Sequence, residues 1–128
     1  MRILVDTQCF LWSFLAPDRL SSNAQRILSG GHDELFFSAA SSWEIAIKVG
    51  IGKLHLPDTP DIYVLSRLTN AGIMGVPVTH IHALRVYNLP PLHKDPFDRL
   101  LVVQAELDSL TILTPDPLIV QYGVSTLW

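Results

Sequence analysis

The stretch Arg2-Ile3-Leu4-Val5-Asp6-Thr7 decides the class of the fold. Residues 2–5 form a short apolar run of β character, which suits a buried strand. Asp6-Thr7 ends that strand and is able to cap a helix over Cys9 to Ala16. Pro17-Asp18 breaks this helix. Ser21 or Ser22 starts a second, which runs through Leu28 and closes at Gly30-Gly31. Leu35-Phe36-Phe37 reads as a second strand and Ser38 to Val49 as a helix, with Trp43, Ile47 and Ile51 at steps of four on one face.

After a loop over residues 53–60, the pattern predicts a helix from Asp61 to Ala71, with Ile62, Leu65 and Leu68 at steps of three, stopped by Gly72. Ile73 to Val78 reads as a strand that Pro77 assigns to a sheet edge. Thr79 caps a helix reaching about Tyr87, and Asn88 to Lys94 is a loop. Pro96 to Leu107 reads as a helix, Thr111 to Leu113 as a strand, Pro117 to Tyr122 as a short helix and Val124 to Leu127 as a last strand. Strands alternating with helices imply right-handed crossovers and a parallel sheet covered on both faces. In such sheets the ligand site lies beyond the carboxyl ends of the strands.

Composition narrows the class further. A chain of 128 residues is expected to form one domain. Charged residues make up 16%, against about 25% in an average soluble domain. Low charge with high apolar content excludes disorder. Nine Lys and Arg against twelve Asp and Glu, with no basic run, exclude a basic nucleic-acid-binding arm. The lone Cys9 allows no intramolecular disulfide, which suits a reducing compartment. With no apolar run of membrane-spanning length and no leader layout, the cytoplasm is the expected setting.

The chemistry points to acids at the strand ends. Asp6 follows the first strand and Asp116 the strand at 111–113, while Asp98 lies in the first turn of its helix and Glu44 inside the Trp43 helix. Each has an ordinary structural role. Asp95-Pro96 and Asp116-Pro117 place Asp at an N-cap before Pro, Asp98 suits the helix dipole, and Glu44 pairs with Lys48 four residues on. Caps explain single acids but not several at one sheet edge, because like charges a few ångströms apart repel. A hard divalent cation relieves that repulsion, and such a site fits metal-assisted hydrolysis of a phosphate ester.

Other chemistries fit less well. His32, His55, His80, His82 and His93 show no zinc spacing, and Cys9 on its apolar helix reads as a buried structural thiol. A phosphoacceptor domain needs an acid pair after the first strand and a late lysine, yet only Asp6 stands there and the last lysine is Lys94. A phosphatase of the Asp-x-Asp type fails because Gln8 occupies the second position.

The chain resembles the PIN-domain ribonucleases of the VapC toxin type, from type II toxin–antitoxin systems, over nearly its whole length. The resemblance rests on Leu4 to Thr7, on Ser38 and Ser42-Trp43-Glu44-Ile45-Ala46-Ile47-Lys48, and on Gly52-Lys53-Leu54. It continues through Leu89 to Leu101, which contains Asp95-Pro96-Phe97-Asp98-Arg99, and closes with Thr114-Pro115-Asp116-Pro117 and Val124 to Trp128. It implies a three-layer α/β/α sandwich with a five-stranded parallel sheet, and RNA cleavage dependent on Mg²⁺ or Mn²⁺. By motif position Asp6 and Asp98 are the principal metal-binding acids and Glu44 and Asp116 complete the cluster. Asp95 is a secondary candidate whose N-cap role we favour, and Thr7 and Thr114 are candidate hydroxyls holding the carboxylates. The resemblance also implies a homodimer and a co-encoded antitoxin that blocks the site.

On this reading a metal on Asp6 and Asp98 binds a non-bridging phosphate oxygen, a water attacks phosphorus in line, and the 3′-oxygen leaves. Lys48, Lys53, Lys94 and Arg99 are candidate RNA-phosphate contacts, and the helices at 21–28 and 61–71 are candidate partner surfaces. The alternative is a catalytically inactive module that keeps the fold and binds a partner. Without the four cluster acids, eight acids remain against nine Lys and Arg, so the net charge of −3 does not argue against RNA.

Overall fold

Strand β1 (Arg2–Val5) occupies the centre of a five-stranded sheet in a computed structural model that describes residues 1–128. The other strands are β2 (Glu34–Ser38), β3 (Met74–Val76), β4 (Thr111–Leu113) and β5 (Thr126–Leu127). All pairings are parallel and the order is β3-β2-β1-β4-β5. The helices are α1 (Thr7–Leu15), α2 (Ser22–Leu28), α3 (Ala39–Gly50), α4 (Pro60–Ala71), α5 (His80–Arg85), α6 (Pro96–Asp108) and α7 (Pro117–Val120). Single 3₁₀ turns stand at Pro17–Arg19 and Val86–Asn88.

Side chains alternate across a strand, so each central strand feeds two cores. Ile3, Val5, Leu35, Phe37 and Leu113 face one way, into a core with Cys9, Phe10 and Ile27 and with Ile45, Tyr63 and Val64 from α3 and α4. Leu4, Phe36 and Ile112 face the other way, against Leu101, Val102, Ala105 and Ile119 from α6 and α7. This is the expected three-layer α/β/α sandwich. Phe10 stacks on Phe37 with ring centroids 4.2 Å apart. Burying a side chain of this size is worth about 1.5–3 kcal/mol.

The helix starts are capped as the sequence indicates. Asp6, Ser21, Ser38, Asp95 and Asp116 each accept a backbone N–H of the helix they precede. Gly72 closes α4 at φ 67°, a conformation that favours glycine. β3 is an edge strand, as Pro77 indicates, but ends at Val76 rather than Val78. Proline has no N–H for the ladder, and its carbonyl accepts from Gln104 Nε2 instead, at 3.2 Å.

Most of the apolar stripe used to recognise each of two helices faces outward. On α3, Trp43 is 57% and Ile47 37% exposed, and Ile51 just past its end is 62% exposed. The buried face is Ala40, Ser41, Glu44 and Ile45, and Ser41 accepts a hydrogen bond from Thr7 of α1. On α4, Ile62 and Leu65 face solvent while Tyr63 and Val64 are buried, and Leu68 packs partly against the core. No helix is long and apolar enough to cross a membrane.

Candidate active site

Beyond the carboxyl ends of β1 and β4 lies a cleft of about 410 Å³. Asp6, Glu44, Asp95, Asp98 and Asp116 all line it, with Thr7 and Lys48. These acids span most of the chain; Asp6, Asp95 and Asp116 are helix N-caps, Asp98 stands in a first turn and Glu44 lies inside a helix. Asp6 is the N-cap of α1 and accepts the Cys9 N–H at 2.6 Å. Asp95 caps α6, accepting from the amides of Phe97 and Asp98 at 2.9 and 3.0 Å. Asp98 follows in the first turn of that helix. Asp116 caps α7, accepting from Leu118 at 2.9 Å. Glu44 comes from the middle of α3 and is buried, with Lys48 Nζ 2.8 Å from its Oε2.

The electrostatics follow from burial and crowding. Burial raises the Asp6 carboxyl above its ordinary range, and the charge of Asp116 adds to the rise. The Thr114 hydroxyl and Cys9 pull it partly back. Asp98 is pushed up to about 6, first by desolvation and then by the charge of Asp95. His93 opposes the shift, while Asp116 and Glu44 add to it. Two carboxyls of one cleft therefore hold protons more tightly than free acids do, because burial and neighbouring carboxylates both disfavour their charge. The Cys9 thiol, buried beside Asp6, is pushed far up and behaves as a packing group.

Not every candidate takes the expected place. Thr114 is buried and its hydroxyl also accepts the Asp116 N–H at 3.0 Å, so it joins two of the acids. Thr7 donates its hydroxyl proton to Ser41 Oγ at 2.8 Å, so it ties α1 to α3 rather than holding a carboxylate. Lys53 and Lys94 are exposed outside the cleft lining. The Arg99 guanidinium is engaged by the loop before α6. Nη1 donates to Pro90 O at 2.9 Å and to Tyr122 Oη at 2.9 Å.

Two side chains near the acids escaped the sequence reading. His93 Nε2 lies 3.3 Å from Asp98 Oδ2, and His93 Nδ1 lies 2.7 Å from Tyr122 Oη. The five-residue separation of His93 from Asp98 matches no metal or helical spacing, and Tyr122 comes from past α7. The one available signal was the position of His93 inside the Leu89 to Leu101 stretch. Strand order also separates the rivals. A phosphoacceptor domain of the flavodoxin-like type has order 2-1-3-4-5, whereas here β3 sits at the edge beside β2.

Comparison with known proteins agrees with this architecture. The PIN domain family model matches residues 3–123. Ribonuclease VapC16 of Mycobacterium tuberculosis is 35% identical over 68 residues, covering 53% of this chain and 48% of that protein. The chain thus matches about half the length of this curated relative. Among solved structures, FitAcB from Neisseria gonorrhoeae superposes with a TM-score of 0.63 at 16% identity, covering 98% of this chain and 96% of that one. FitAB bound to an IR36 DNA fragment gives 0.60 at 18% identity, over 98% and 93% of the two chains. A toxin–antitoxin complex from Klebsiella pneumoniae gives 0.57 at 14% identity, over 89% and 86%. At these identities the structural likeness is one of fold.

Proposed function

The chain belongs to the PIN domain family, and from this premise we propose that it is a divalent-metal-dependent endoribonuclease, the toxin of a toxin–antitoxin pair. The observation that carries this reading is the crowding of Asp6, Glu44, Asp95, Asp98 and Asp116 into one cleft at the sheet edge. Likeness to a ribonuclease and to a chain from a toxin–antitoxin complex supports it. We read the 128 residues as one nuclease domain acting in the cytoplasm.

The donors fit a hard cation. All are carboxylate oxygens, as Mg²⁺ or Mn²⁺ prefers. No three His, Cys, Asp or Glu side chains form a ready-made cage. An ion bound here would take one or two carboxylates directly and complete its shell with water. We assign Asp6 and Asp98 to it by motif position, since both line the cleft, one at the start of α1 and the other in the first turn of α6. When bound, a divalent cation supplies positive charge to a phosphate and acidifies a water.

The protein's own groups do the rest. Thr114 and the Cys9 amide orient Asp6. Glu44 and Asp116 accept hydrogens of the attacking water, with Glu44 held by Lys48. Lys48, Lys53 and Lys94 are assigned to RNA phosphates. Attack in line with the 3′-oxygen leaves a 5′-phosphate. A homodimer and an inhibiting antitoxin belong to the same reading, and α4 offers exposed Ile62 and Leu65 for contact.

The test is cleavage of end-labelled RNA with and without Mg²⁺ by wild type, Asp6→Ala and Asp98→Ala. Metal-dependent cutting by wild type alone is expected. Equal cutting by all three overturns the reading.

A further inference from the structure

We propose that His93 is a positioning residue for the Asp98 carboxylate, locked in one tautomer by a hydrogen-bond relay that starts at Arg99 and passes through Tyr122. The inference rests on the assignment of Asp98 to the site, but its geometry stands on its own.

The relay has a direction fixed by donor chemistry. A guanidinium only donates. Arg99 Nη1 lies 2.9 Å from Tyr122 Oη, so it takes a lone pair of the phenol oxygen. The phenol's single proton is then free to donate to His93 Nδ1, 2.7 Å away. With Nδ1 accepting, the ring carries its proton on Nε2. That N–H faces Asp98 Oδ2 at 3.3 Å, where an ionised carboxylate only accepts. The opposite tautomer would aim a bare nitrogen lone pair at a carboxylate.

Anchoring adds to the donor logic. The His93 side chain is 10% exposed. Arg99 also donates to the carbonyls of Pro90 at 2.9 Å and His93 at 3.4 Å, so it grips the loop that carries the imidazole. Tyr122 follows α7, the helix that Asp116 caps. The relay therefore ties the loop, the start of α6 and the end of α7 around one carboxylate. His93 thus holds Oδ2 of a carboxylate that lines the cleft. Groups of this kind, which orient a ligand without touching the ion, typically change metal affinity about 10–100-fold when removed.

The test begins with ¹⁵N NMR of the histidine ring in the metal-free protein at pH 7.5, His93 being assigned by its loss in His93→Phe. An Nε2-protonated ring in wild type and a shifted Nδ1 resonance in Tyr122→Phe, which loses the hydrogen bond to that nitrogen, are expected, whereas an Nδ1-protonated ring in wild type overturns the proposal. Affinity for Mn²⁺ alone is then measured by calorimetry. A loss of about 10-fold is expected in Tyr122→Phe and His93→Phe, with most of it restored in His93→Gln, whose amide N–H₂ still reaches Asp98. Wild-type affinity in both Phe variants overturns the relay even where RNA is cut normally. A wild-type protein with the Nε2 tautomer and Mn²⁺ binding but no RNA cleavage overturns the nuclease reading and leaves the relay standing.

Discussion

Val5 stands opposite Leu113 in the parallel pairing of β1 with β4, and the Asp6 amide donates to the Leu113 carbonyl at 3.2 Å. The next residues of the two strands, Asp6 and Thr114, therefore leave the sheet side by side. Asp116 follows with its amide on the Thr114 hydroxyl. A one-residue slip would send every side chain of one strand to the other face and part these acids. The ladder register, more than any single contact, assembles this end of the cleft.

Asp6→Asn separates structure from chemistry. The amide oxygen still accepts the Cys9 N–H, while the charge that burial disfavours is gone. The metal-free variant is expected to melt above wild type at pH 7.5, and RNA cleavage to fall at least about 100-fold, or ~2.7 kcal/mol. Asp6→Ala loses the cap as well and is expected to melt below Asp6→Asn by about 1 kcal/mol. Differential scanning calorimetry with a cleavage assay checks all three.

Asp98 makes stability depend on pH in the direction opposite to a salt-bridged acid. Its carboxyl rises from 3.8 to about 6 on folding, so between these values the folded state binds the extra proton. Stability is lost as pH rises through that window and the loss is complete above it, amounting to about 3 kcal/mol at most. Urea titrations of metal-free protein at pH 5.0 and 7.5 are expected to show Asp98→Asn gaining on wild type as pH rises. A constant difference between the two proteins would contradict the shift.

Divalent metal is expected to reverse this penalty. At about 100 times its Kd, a ligand that binds only the folded state adds about 2.7 kcal/mol. Thermal scans with Mn²⁺ are expected to show a larger rise in Tm at pH 7.5 than at pH 5.0, because protons compete for Asp98 at the lower pH. Asp6→Asn and Asp98→Asn are expected to lose most of that rise, and chelation with EDTA to abolish it.

Tyr63 offers a test away from the site. Its hydroxyl is buried with no hydrogen-bond partner, while Arg67 covers the ring with its guanidinium carbon 3.7 Å from the centroid. An unpaired buried hydroxyl costs about 1–3 kcal/mol. Tyr63→Phe keeps the ring and is expected to raise stability by up to about that amount, with cleavage unchanged. A loss of stability in denaturant titrations would mean that the hydroxyl has a partner.

Much of the fold was legible because its determinants are local. Capping acids and serines, prolines at helix starts and apolar strand runs act over a few residues, so element order and the edge strand could be read along the chain. Asp6, Asp95, Asp98 and Asp116 were legible for the same reason, since each is a cap or stands in a first turn, whereas Glu44 lies inside α3. Helix orientation was not. The stripe Trp43, Ile47 and Ile51 has helical period, yet the buried face of α3 is the one where Ser41 meets Thr7, a pairing 34 residues apart.

The sequence by itself determined an alternating α/β chain with several carboxylates at strand ends, because strand, turn and cap propensities are short-range. Tertiary structure alone decided that Asp95 lines the cleft with the four acids already expected there, that Thr7 serves Ser41, and that Arg99, Tyr122 and His93 converge on Asp98. Those outcomes depend on strand register and on the packing of α1 and α3 against one sheet face and of α6 and α7 against the other. Both join residues far apart in sequence, and neither leaves a periodic mark along the chain.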